Sequence, residues 1–227
     1  AEPTTTAPLF EGREVAISPS KISSVENSSM DWFLDRVAPD ELPVHVGLGT
    51  LVHWALEQEP WGSEEQLREL VAERFGELEF DSGWLSRAGW RSAEVFCHAL
   101  AGYLREREQE GVELVGSEFD IEYRLDGLAL VGSIDRIERD PDGRLIVVDV
   151  KTGQVITAQA DIDDHPQLQA YQLALSSGAV VAAEGDDETV SDINGPLGGA
   201  QLVWLASGLK GQPFRVSSQA ALDEQGL

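Results

Sequence analysis

The chain has 227 residues, 42% hydrophobic and 25% charged, enough for one sizeable core, with a second small domain possible but not required. Against 16 basic side chains stand 41 acidic ones, a formal charge of −25, so the molecule should repel phosphate at long range, unlike a free-standing nucleic-acid binder. One cysteine, Cys97, excludes an internal disulfide and any four-cysteine cluster, and a reducing cytoplasm is the plain inference.

No apolar run is long enough to span a bilayer, and the start, Ala1 to Pro8, has neither the basic flank nor the hydrophobic stretch of a signal peptide. That start reads as a linker, expected over residues 1–16, and as the beginning of a piece of a longer protein. The domain proper is expected over 17–217 and a polar tail over 218–227.

In chain order, Ser18-Pro19 opens a helix expected to reach Val37, with Ile22, Val25, Trp32 and Phe33 as core candidates and Pro39 and Pro43 as breakers. Leu48, Leu51, Val52, Ala55 and Leu56 recur at helical spacing over 48–58. Ser63-Glu-Glu-Gln66 is a capping box for a helix to Phe75. A long helix is expected over 88–110, stopped by Gly111, its Arg105-Glu-Arg-Glu108 a solvated face.

The period then changes. Phe119, Ile121, Tyr123 and Leu125 alternate with polar residues, and Asp126-Gly127 turns the chain back into a strand over 128–139. A third strand, 144–151, contains Leu-Ile-Val-Val, as a central strand does. A helix is expected over 166–177, a short strand over 179–183, a loop over 184–199, and a last hairpin from 200–206 and 214–217.

The chemistry collects around Gly132-Ser-Ile-Asp135-Arg-Ile137 and Val147-Val-Asp149-Val-Lys151-Thr-Gly153. Asp149 and Lys151 leave the same face of a strand. If Pro141-Asp142-Gly143 forms the intervening loop, Asp140 pairs with Arg144 and, counting outward, Asp135 with Asp149; a bulge at Gly143 would shift this by one residue. Opposed residues have Cβ atoms roughly 5 Å apart, and two acids that close repel unless a cation holds them. A divalent metal with oxygen ligands meets that need, and Lys151 adds a point charge suited to a phosphate. His53 is a candidate nitrogen ligand, read alternatively as a core histidine. Glu118 divides evenly between the site and a wet strand face. Gln167 and Tyr171 share one helix face and could hold a phosphate or orient a ligand; Gln169 is the neighbouring alternative. His45 and His165 are loop residues, the latter a weak substrate-contact candidate. Cys97 and His98 read as core and surface, and the tryptophans as mostly core, with Trp32 or Trp54 able to stack on a base.

Asp, a turn, Asp-x-Lys, then Gln-x-x-x-Tyr resembles the PD-(D/E)xK nuclease superfamily. Gly49-Thr-Leu-Val-His53 ahead of the sheet is similar to its RecB-like branch. Ser18-Pro-Ser-Lys-Ile and Gly198-Gly-Ala-Gln-Leu-Val-Trp204 resemble the nuclease module ending actinobacterial UvrD-like and AdnAB-type helicase–nucleases.

The resemblance implies an α/β fold, with a helical N-terminal half on a restriction-endonuclease-like mixed sheet. It implies a Mg²⁺- or Mn²⁺-dependent deoxyribonuclease, acting on single-stranded DNA delivered by a helicase motor or partner subunit. His53, Asp135 and Asp149 would hold the metal with the Val150 carbonyl, and Lys151 would activate water and stabilise charge. Gln167 and Tyr171 would support the site or hold DNA, and Glu118 matches an acid that precedes the core. Many relatives carry an iron–sulfur cluster; here Ser28 stands near the first cysteine's place and the distal three are absent, so none is expected. The alternative is a non-catalytic DNA-binding or scaffolding module of the same fold.

Overall fold

A central strand buried on both faces organises the molecule. The computed structural model describes residues 14–27, 44–78, 80, 82–153, 155–156, 158–181, 193–206, 208 and 211–223. β1 (Val15–Ile17) leads through a 3₁₀ turn (Pro19–Lys21) into α1 (Ile22–Asn27). Then come α2 (Val44–Gln58), α3 (Glu64–Arg74), a second 3₁₀ turn (Phe75–Glu77) and α4 (Gly83–Gln109). The chain continues through β2 (Glu113–Leu125), β3 (Leu128–Arg139), β4 (Leu145–Lys151), α5 (Gln159–Asp163), α6 (Pro166–Ser176), β5 (Val180–Val181), β6 (Leu197–Trp204) and β7 (Arg215–Gln219).

The sheet runs β5-β2-β3-β4-β6-β7, with β1 parallel to the start of β3. β4 pairs antiparallel to β3 and parallel to β6, which makes the sheet mixed. Ile146, Val148 and Val150 enter a core with α2, α3 and α4, whereas Leu145 and Val147 join Ala200, Leu202 and Trp204 against α5 and α6. Covered on both sides, β4 opens as an unbroken apolar run, Leu145 to Val148.

Most elements fall where the sequence pattern puts them, and the boundaries move for local reasons. β1 lies across the end of the expected linker, and β7 runs past 217 into the expected tail. β6 begins at Leu197, inside the expected loop. β2 begins six residues before Phe119 because its first half does not alternate: the register shifts between Leu114 and Gly116, and Glu118 has φ +54°. The capping box forms, Ser63 Oγ accepting from Gln66 N and Gln66 Oε1 from Ser63 N. Ser82, not a residue near 88, caps α4. Of the expected first helix, Pro19–Asn27 is helical; its remainder, with Ser28, Trp32 and Phe33, lies outside the described residues.

α2 begins at Val44, ahead of the expected Leu48, through two glycines that let it dock closely. A Cβ at Gly47 would stand 2.7 Å from Leu78 Cδ2, and one at Gly49 3.0 Å from Thr152 Oγ1. The second contact sets α2 against the end of β4. No helix among the described residues is long and apolar enough to cross a membrane.

Arg136 and Glu138, both fully buried, clamp the helical layer to β3. Arg136 Nε donates to Glu138 Oε1 at 2.6 Å and Nη1 to the Pro60 carbonyl at 2.7 Å, and its guanidinium lies 4.5 Å from the centre of the Trp61 ring. Tyr103 Oη donates to Glu138 Oε2 at 3.1 Å. Breaking such a pair strands a charge in the core. Glu138→Ala should therefore cost about 3–5 kcal/mol in urea unfolding. The double change Arg136→Met, Glu138→Leu should cost much less; equal losses for the two variants would refute the clamp.

Candidate active site

The sheet forks at β3, and the candidate residues stand in the fork. β2 pairs along nearly all of one edge of β3. The other edge is shared: β1 takes Leu128–Leu130 and β4 takes Arg136–Arg139, leaving 131–135 between them. Asp140 N bonds Arg144 O, Gly143 turns with φ +82°, and the ladder from that turn ends at Arg136 opposite Val148. Carried one residue on, this register sets Asp135 across from Asp149, as the turn predicts. There the side chain replaces the ladder: Val150 N–H donates to Asp135 Oδ2 at 2.7 Å. The Ser18-Pro19-Ser20 turn covers the gap, close enough that a Cβ on Gly132 would meet Pro19 Cδ at 3.0 Å.

His53, Glu118, Asp135, Asp149, Val150, Lys151, Gln167 and Tyr171 all line one cleft of about 570 Å³. His53 comes from α2, seated by the Gly49–Thr152 contact, and its Nδ1 is 3.2 Å from Asp135 Oδ1. Glu118 faces Asp135 across the β2–β3 pair. Its left-handed backbone is uncommon for a residue with a side chain and marks local strain beside a site. Pro166 at the start of α6 begins the helix that carries Gln167 and Tyr171 to the opposite wall.

Asp149 is almost wholly buried and held from three sides. Gln167 Nε2 donates to its Oδ1 at 2.8 Å, and Tyr171 Oη donates to the same oxygen at 3.2 Å. Gln167 Nε2 also donates to Tyr171 Oη at 2.8 Å, which fixes the direction of the Tyr171 proton. Lys151 Nζ stands 2.7 Å from Asp149 Oδ2. That contact is a charge pair without hydrogen-bond alignment, so Oδ2 keeps no hydrogen bond of its own.

The electrostatics are those of crowded anions. Burial and then the Asp135 charge push Asp149 up to about 6, against the pull of Lys151 and His53. Burial, then Asp135, push Glu118 up to about 7, against His53. Burial alone would lower His53, but the charge and hydrogen bond of Asp135, with Asp149 and Glu118 behind, lift it to about 9. His165, ahead of α6, is lowered by burial and by Lys151, and its Nδ1 is buried without a partner.

The donor set fits a divalent cation. His53, Glu118 and Asp135 each offer a ligand atom, all within 4.8 Å of one another. One imidazole with carboxylate oxygens suits Mg²⁺ or Mn²⁺ more than a soft thiolate-loving metal, and the unbonded Asp149 Oδ2 lies in the same cleft. Glu118 thus stands closer to the ligand group than the sequence resolves. Its alternation with neighbours suggested a wet strand face, and only the positive φ turns it inward. Ser18, Thr50, Ser133 and Thr152 also line the cleft, and no spacing rule marks them beforehand.

No curated protein matches the chain. The PD-(D/E)XK nuclease superfamily matches it over residues 16–219. The mixed sheet between two helical layers is the restriction-endonuclease-like α/β fold that this implies. The match begins inside β1 and ends on the last residue of β7, so it takes in every strand of the sheet, and the chain belongs to the PD-(D/E)XK nuclease superfamily.

Proposed function

We propose that the chain is a Mg²⁺- or Mn²⁺-dependent deoxyribonuclease of the RecB-like branch, hydrolysing phosphodiester bonds of single-stranded DNA as an exonuclease beside a helicase motor. The observation that carries this reading is the Asp149–Lys151 contact. A buried carboxylate, already held by an amide and a phenol, is faced by an ammonium and by three further potential ligands.

His53, Asp135 and Asp149 would hold the ion, with the Val150 carbonyl as a backbone oxygen and Glu118 as a fourth side chain. When bound, such an ion lowers the pKa of its water and offsets charge on the phosphate. The chain's own residues do the rest. Asp149 orients Lys151, whose side chain, 30% exposed, can bring its ammonium to the cleft and stabilise charge developing on the scissile phosphate. Gln167 and Tyr171 spend their hydrogen bonds on Asp149 Oδ1, which fixes that carboxylate's rotation and leaves Oδ2 facing Lys151. Asp135 is oriented by the Val150 N–H. Ser18 and Ser20, at the mouth, are placed to meet substrate rather than metal.

The helicase setting addresses the charge. With 41 acidic residues against 16 basic, the domain should hold DNA weakly by itself, and a motor or partner subunit would deliver the strand. A reducing cytoplasmic setting accords with a single cysteine, Cys97, buried among α4 and its neighbours.

Labelled single-stranded DNA incubated with Mn²⁺ tests the activity. The parent chain should cleave it slowly and in a salt-sensitive way. Lys151→Ala and Asp149→Asn should each lower the rate about a hundredfold or more, with unchanged circular dichroism. Tyr171→Phe, which removes one of three holds on Asp149, should cost less. A parent chain that binds Mn²⁺ but never cuts would point to the scaffolding reading.

Metal affinity should follow the protons that the ligands must shed. His53 at about 9 and Glu118 at about 7 are both protonated at low pH in the metal-free protein. With Asp149 at about 6, the logarithm of the Mn²⁺ association constant should then rise by about three per pH unit below about 6, by about two from there to about 7 and by about one up to about 9, and level off above. Calorimetry in buffers of different ionisation enthalpy reads the released protons directly. A constant affinity from pH 6 to 9 would exclude His53 and Glu118 as ligands.

A further inference from the structure

The solvent face of α4's first four turns carries a pattern at odds with the rest of the molecule. Its exposed side chains are Trp84, Arg87, Arg91, Val95 and His98, spaced 3, 4, 4 and 3 residues apart, which is one stripe of a helix. Trp84 is 63% exposed and Val95 52%. A solvated helix face in so acidic a chain should be rich in carboxylates. None is exposed on this helix between Gly83 and His98; Glu94 is half-buried, and Glu64 reaches only the far end, at His98.

The two cations are also unpaired. Arg74, Arg107, Arg124, Arg136 and Arg144 each stand within salt-bridge distance of a carboxylate. Among the described residues, Arg87 and Arg91, like Arg68, Arg105 and Arg215, have no acidic partner, and these two lie between the exposed Trp84 and Val95 on one stripe. Exposed tryptophan beside free guanidinium is the combination that holds a single strand, because every base has a face to stack and every nucleotide a phosphate to pair.

The stripe is also connected to the catalytic end of the sheet. Ala88, Arg91, Ser92, Val95, Phe96 and Ala206 line a groove along it. Ala206 follows Leu205, whose N–H donates to the Lys151 carbonyl at 2.9 Å. The groove therefore comes close to the backbone at the end of β4, on the sheet face opposite the Lys151 side chain. From Trp84 to Val95 the stripe is roughly 16 Å long at helical rise, room for a few nucleotides.

We propose that this face of α4 is a track for single-stranded DNA, with a base stacked on Trp84 and backbone phosphates on Arg87 and Arg91, the strand running along the groove toward the end of β4. The assignment rests on the nuclease reading for its choice of DNA, but its test does not. Fluorescein-labelled oligo-dT of about 20 nucleotides, longer than one such site, is titrated with the 227-residue chain in EDTA, followed by anisotropy at several salt concentrations. No metal is present, so a failure to cleave in Mn²⁺ would leave this result standing. Trp84→Ala should weaken binding about tenfold or more. Arg87→Glu with Arg91→Glu should weaken it further, and its milder partner, Arg87→Gln with Arg91→Gln, should flatten the slope of log K against log salt by about 1.4, two phosphate contacts on single-stranded DNA. All these side chains are exposed, so melting temperatures should stay within a few degrees of the parent. Unchanged affinity and slope in the variants would overturn the track, as would no measurable binding by the parent at low salt. Polyglutamate bound as tightly as oligo-dT, with Trp84→Ala without effect, would overturn it in favour of an acidic protein partner.

Discussion

Three carboxylates share one cleft with a single lysine and a single histidine, and that crowding governs the site. In water, such anions would spread apart. Here β2, β3 and β4 fix their backbones, and the Asp135 side chain is pinned further by the Val150 N–H. Burial first, and then the repulsion from Asp135, raise Glu118 and Asp149 well above ordinary carboxylates, while the surrounding anions hold His53 charged far beyond its usual range. A doubly charged ion would relieve all three at once, because it would replace protons on acids and imidazole alike. The metal-free protein is in this sense protonated in place of being metallated.

The second constraint is that Asp149 is buried. An isolated carboxylate there would cost several kcal/mol, and the protein meets the cost with three partners of different kinds. Gln167 and Tyr171 arrive from α6 on one side of the sheet, and Lys151 from the same strand two residues on. His53 arrives from α2, on the other side. The site thus depends on both helical layers keeping their distance from one strand. The Arg136–Glu138 clamp, adjacent in sequence to Asp135, ties β3 to the loop that follows α2, and so it bears on the His53–Asp135 separation without touching either residue. Fold and site are coupled through that register rather than through any contact with substrate.

Much of this was legible in the sequence because it rests on short-range rules. The Asp140–Arg144 turn sets the β3–β4 register by counting, the period-two spacing puts Asp149 and Lys151 on one face, and the period of 3.6 does the same for Gln167 and Tyr171. The capping box at Ser63 and the Asp126-Gly127 turn, with φ +44° and +86°, also form as local chemistry dictates. What was not legible depends on non-local packing or on broken alternation. β1 exists only because β3 offers it an edge, and a run of three residues, Val-Ala-Ile, is too short to signal a strand by itself. The early start of β2 and the inward turn of Glu118 come from a register shift and a left-handed residue, which a periodic pattern cannot announce. The apolar helical spacing starts at Leu48, so it does not announce the turn of α2 before it, where Gly47 makes room for Leu78.

The acidity of the molecule bears on how such a site is used. At −25, long-range forces drive a polyanion away, and only contacts within a screening length, about 8 Å at physiological salt, can hold it. If the proposed activity holds, a cleft of raised-pKa acids would bind substrate only after a cation had reversed its local sign, so metal and DNA would bind cooperatively. An unpaired basic stripe elsewhere on the surface would then matter out of proportion to its two charges. It can hold a strand before the cleft is metallated, and it adds little to capture from bulk solvent. This division suits an enzyme that acts on strand placed beside it, and it separates retention on the helical face from chemistry in the fork of the sheet.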